Sequence, residues 1–206
     1  MTLPISSYLK EIALREGLSP EGMQFPDCAP PPAQIRAMMI NEVVPKNPED
    51  WFYSEAADPE NRRNALGLFA SAGIPVSSMD DLLGMGIYIT AAMKTPKDNA
   101  IPDPAVMQAH LPLLAAELAL FPNLKLVMLM GDVAVKMVNQ IAKAQTGKNA
   151  CPVGSPGRRR HWGGEAFLWN GIRVMPSYIM TGKNLLIEPF KRDTIAEDIR
   201  RMMAVL

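Results

Sequence analysis

The 206-residue chain is poor in the groups that most often announce chemistry: it has two cysteines, two histidines and only 6% aromatic residues. Cys28 and Cys151 stand far apart with no C-x-x-C between them, so they read as inert thiols rather than zinc or iron–sulfur ligands, and no cofactor is expected. No apolar run approaches the roughly 18 residues that a membrane span requires. The start, MTLPISSYLKEIALREG, has neither the basic head nor the continuous apolar stretch of a secretory leader, so the chain reads as cytoplasmic. A Gly-x-Ser-x-Gly elbow and a Gly-rich phosphate loop are both missing, which removes the sequence support for hydrolases and transferases of those types. Net charge is missing too, since 21 Lys and Arg balance 21 Asp and Glu, and no whole-molecule field collects nucleic acid or acidic lipid.

What is present is a globular composition, 48% hydrophobic and 20% charged, long enough for one domain with its own core. The zero charge divides by position. Residues 1–123 hold 8 basic against 15 acidic side chains, a net −7, and residues 124–206 hold 13 against 6, a net +7. Fifteen methionines, many in pairs such as Met38-Met39 and Met202-Met203, read as core filling.

Periodicity predicts a short helix over 4–16, then the Pro-rich loop FPDCAPPPAQ, together an N-terminal segment (1–34) packing on a single domain. Ile35–Val44, GIYIT at 86–90 and LKLVMLM at 124–130 read as buried parallel strands. Between them run helices: one over NRRNALGLFASAGI ending at Gly73, one opened by Asp103-Pro104, and one capped by Gly131-Asp132 with Val133, Met137, Ile141 and Ala144 inward. Asn170-Gly171 suits the tight turn of a hairpin, and an amphipathic helix carrying Ile195, Ile199 and Met202 closes the chain. Strands alternating with helices predict a three-layer α/β/α domain with a mainly parallel sheet and its cleft at the carboxyl strand ends.

Three strand exits carry polar groups: Asn41-Glu42, Thr90 through Lys94, and Pro176-Ser177-Tyr178. Glu42 is the foremost candidate, because a carboxylate ending an apolar strand is costly unless it is bonded or employed; capping a nearby loop amide is its alternative role. Lys94 is a candidate phosphate contact.

INEVVPKNPEDWFY, GIYITAAMKTPK, LKLVMLMGDVAV and WNGIRVMPSYIM, in this order, resemble the blocks of the uracil-DNA glycosylase superfamily, closest to its bacterial and archaeal iron–sulfur branch, over roughly residues 35–206. The resemblance implies a DNA partner, extrusion of a base into a pocket, and hydrolysis of its N-glycosidic bond. It places Glu42 at the acidic position that orients water, and Phe52 or Tyr53 at the aromatic that stacks on the base. Asn41 and Thr90 fall beside the base, and Ser177 and Tyr178 in the loop that approaches DNA.

The chain departs from the family pattern at several places. Ala91 replaces the Asn that reads the uracil edge, Met175 the His that bonds the base, and Asn41 and Pro45 glycines of the first motif. Neither Ala91 nor Met175 can donate a hydrogen bond. The cluster cysteines are absent, with Thr95 and His110 near two of their places. The loop GSPGRRRHWGGE supplies Arg158, Arg159, Arg160 and His161 as candidate phosphate and base contacts, with Lys183 beyond it. Two functions follow as expectations: hydrolysis of a modified base from DNA, or a non-catalytic module of the same fold that binds a nucleotide, a nucleic acid or a protein.

Overall fold

A computed structural model describes residues 4–98, 102–153, 167–182 and 188–206. Five strands form one sheet: β1 (Ala37–Val43), β2 (Ile87–Met93), β3 (Leu126–Met130), β4 (Phe167–Trp169) and β5 (Ile172–Ser177), in the order β2-β1-β3-β5-β4. β2, β1, β3 and β5 are mutually parallel, and β4 runs antiparallel as the first arm of the hairpin with β5. The turn places Asn170 and Gly171 at φ 50° and 80°, the left-handed region that this dipeptide accommodates.

Side chains alternate across β1, so that Met38 and Ile40 enter one core while Ala37 and Met39 enter the other. The first core is covered by α1 (Ile5–Arg15), α4 (Pro104–Ala119) and α5 (Asp132–Thr146). The second is covered by α2 (Glu60–Ser71), α3 (Met79–Gly84) and α6 (Pro189–Met203). This is a three-layer α/β/α domain. The methionines fill it as expected, with Met38, Met39, Met128, Met130 and Met202 fully buried, each worth about 1.5–3 kcal/mol in transfer free energy.

Two details differ from the periodic reading. Ala144 of α5 is exposed, and Val138 and Ala142 take the inward positions. The short α3 escapes a periodicity search because six residues hold little period; its signal is local, a capping box between Ser78 and Asp81. The N-terminal segment is stitched to the strand ends. Gln24 donates its backbone N–H to the Lys94 carbonyl (2.8 Å) and its amide to that of Pro45 (2.7 Å), while Trp51 Nε1 donates to the Phe25 carbonyl (3.3 Å). Among the described residues no helix is long and apolar enough to cross a membrane.

The strand order fixes where a ligand is best received. From β1 the chain crosses to β2 on one side and then returns past β1 to β3 on the other, so the connections diverge at the carboxyl ends of β1 and β3. Crevices in doubly wound sheets open at such a switch point.

Candidate active site

Glu42 leaves β1 at that switch point and is almost completely buried. Its Oε1 accepts the Val133 backbone N–H at 3.2 Å, in the first turn of α5, and its Oε2 accepts the Lys97 ammonium at 2.9 Å. The helix has no side-chain cap of its own, since glycine occupies its N-cap, so the carboxylate of a neighbouring strand satisfies one of its free donors and faces the positive end of its dipole. The exit Gly131-Asp132 therefore does not cap the helix by itself. Gly131, at φ 102°, makes this approach possible: a Cβ there would lie 2.6 Å from Glu42 Cγ, Glu42 Oε1 and Ile179 Cγ1. Burial, reinforced by the charge of Glu42, pushes the Asp132 carboxyl above its usual range.

Lys97, not Glu42, lines a crevice of about 290 Å³, together with Val43, Val44, Lys46, Asp50, Asn61 and Thr181. It combines apolar strand-end walls with polar groups from the β1 exit, the start of α2, the β2 exit and the loop after β5. Reading along the chain missed Lys97 and Gly131, because each acts on Glu42, distant in sequence, and it missed Asn61, which only the fold brings to the crevice.

The structure corrects several expected contacts. Lys94 does not reach solvent: its ammonium is sealed between β2 and α4, donating to Glu117 Oε2, Thr90 Oγ1 and the Ala91 carbonyl, each at 2.7 Å. Burial lowers its proton affinity, and the Glu117 charge opposes that shift. Thr90 donates to Glu117 Oε1 at 2.8 Å, and the Tyr88 hydroxyl donates to the same oxygen. Thr90 and Lys94 thus serve an internal network rather than a base or a phosphate. Ser177 is likewise turned inward, donating to Asp198 Oδ2 at 2.7 Å, and does not face DNA.

Phe52 is fully buried, and with Tyr53 it borders a different cleft, of about 530 Å³, between α2 and α3, whose lining shares no residue with the crevice. Tyr53 is fixed there by donating its hydroxyl to the Ile89 carbonyl at 2.7 Å. The structure therefore does not bring the expected stacking aromatics together with Glu42. Tyr178 is half-buried, its ring edge-to-face with exposed Phe190 at 5.9 Å. Arg158, Arg159, Arg160, His161 and Lys183 lie outside the described residues.

Asn41 points to the face opposite Glu42 and is the register partner of Ala91 on β2. Its Nδ2 lies 3.4 Å from the Thr90 carbonyl, while its buried Oδ1 has no partner among the described residues. Ala91 and Met175 are themselves sealed in the same core. Thr95 and His110 come together, Oγ1 to Nε2 3.5 Å, and His110 Nδ1 lies 2.8 Å from the Val106 carbonyl. Burial holds that imidazole below its usual range. A hydroxyl and an imidazole supply no thiolate, so the residues at these places do not fit an iron–sulfur cluster. Among the described residues no group of three or more His, Cys, Asp or Glu side chains is arranged to hold a metal ion.

No family model matches the chain, and no curated protein matches it.

Proposed function

We propose that the chain is a uracil-DNA glycosylase-like hydrolase that cleaves the N-glycosidic bond of a modified base in DNA, with Glu42 as its carboxylate. The observation that carries this reading is the fixed position of Glu42 at the switch point, held by the α5 amide and by Lys97, which itself lines an open crevice. Two hydrogen bonds leave about two of the four lone-pair sites of a carboxylate for a water molecule. A preorganised negative charge there favours the oxocarbenium character of the sugar in the transition state. The closeness of Thr95 and His110 also supports the resemblance, since the family has cluster cysteines near those places.

A second reading, a non-catalytic binding module on the same scaffold, draws on a different observation: both oxygens of Glu42 are engaged, and the sealed Ala91 and Met175 offer the base no donor. Oligonucleotides containing uracil, hypoxanthine or xanthine separate the two. Abasic product from one of them sustains the hydrolase, whereas salt-sensitive binding by fluorescence anisotropy with no product from any sustains the module.

A further inference from the structure

Asn61 is the second residue of α2 and is only 5% exposed, yet its carboxamide makes no hydrogen bond among the described residues. Amides in a protein interior are normally satisfied, by protein groups or by solvent. Asn61 differs from Asn41, Gln24 and Trp169, which each have a polar atom sealed from solvent without a partner among the described residues; neither amide atom of Asn61 is sealed in that way, and the residue lines the crevice. Its amide therefore opens toward the crevice that Lys97 also lines.

The remaining groups narrow the ligand. Lys46 and Lys97 face the crevice, but so do Asp50 and Glu60, and Glu42 already holds Lys97. With its cations matched or exceeded by carboxylates, the crevice does not favour a free phosphate. It suits a neutral, planar, polar ligand that fits about 290 Å³, meets the apolar wall of Val43, Val44 and Pro45, and offers donors to the carboxylates. A carboxamide presents one donor and one acceptor side by side, the complement of a nucleobase edge.

We infer that Asn61 is the specificity-determining residue of this crevice and pairs with the edge of a nucleobase. This rests on the base-excision reading and assigns the edge contact to a residue outside every motif that carried the resemblance. Asn61 comes from the start of α2, where Pro59 provides no side-chain cap for the first amides of the helix.

The test uses the full-length, 15N-labelled protein titrated with uracil and with hypoxanthine. The Asn61 side-chain NH2 signals, assigned by their loss in Asn61→Asp, are expected to shift with one of these bases. Asn61→Ala is expected to weaken that binding about tenfold or more at an unchanged melting temperature. Asn61→Asp, which keeps the shape and removes the donor pair, is expected to change the preferred base. A base that binds without moving the Asn61 signals, variants that bind as tightly as the parent, or failure of both bases to bind would each overturn the assignment. The two proposals fail separately. Abasic product from Asn61→Ala at the parental rate removes this one and leaves the hydrolase, whereas Asn61 shifts without abasic product from any oligonucleotide remove the hydrolase and leave this one.

Discussion

Lys94 and Lys97 leave the end of the same strand three residues apart, and each ends in a carboxylate, yet the two pairs occupy opposite environments. The Lys94–Glu117 pair has both side chains 0% exposed, whereas Lys97 and Glu42 retain 28% and 9%. Inside the sheet–helix layer, Tyr88, Thr90 and a backbone carbonyl complete the coordination of the first pair, so nothing in it remains for a ligand. At the crevice the second pair is held by one helix amide and is open on one side. The same two residue types therefore make a structural network in one place and a candidate site in the other, and what separates them is access to solvent.

Breaking the inner pair is expected to have the largest effect. Glu117→Leu leaves an uncompensated buried ammonium and should cost about 3–5 kcal/mol in urea unfolding, while Lys94→Met with Glu117→Leu should recover most of that loss. A double variant as unstable as the single one would show that the pair is not the unit. Gly131→Ala comes next, because its Cβ would strike Glu42 and Ile179 on a positive-φ backbone; a loss of about 1–3 kcal/mol by the same measurement is expected. Lys97→Met should change stability by less than about 1 kcal/mol, as befits a pair with an open side, and a larger loss would erase the contrast with Lys94.

The smallest effect is a slope. Burial depresses the Lys94 ammonium below its ordinary 10.5, so between that lowered value and 10.5 the unfolded chain binds more protons than the folded one, and stability rises with pH. Below the lowered value the lysine is charged in both states and adds no slope. Lys94→Met should lose this rise, as followed by urea unfolding up to pH 10. Beyond that Tyr53 and Tyr88, whose hydroxyls burial keeps protonated, contribute the opposite sign.

The fold was legible because strand and helix periods are local. Ile35–Val44 contains the observed β1, and the hairpin follows from Asn170-Gly171 alone. The site was only partly legible. Glu42 could be singled out because a carboxylate at the end of an apolar strand needs a partner, but that partner, Val133, stands 91 residues away. Lys94 read as a candidate phosphate contact because Glu117, the residue that draws it inward, lies on α4 at a position with no charge pattern to mark it. Asn61 carried no signal at all: an asparagine in a first helical turn is ordinary, and only the crevice beside it gives its unpaired amide a meaning.

Single-turnover cleavage of uracil-, hypoxanthine- and xanthine-containing oligonucleotides by the parent and by Glu42→Gln tests whether Glu42 is the carboxylate of the proposed base hydrolysis. Abasic product is expected with at least one substrate, with a loss of about a hundredfold or more in the variant at a preserved fold. Product formation that Glu42→Gln leaves unchanged, or no product from the parent with any of the three, would contradict that role.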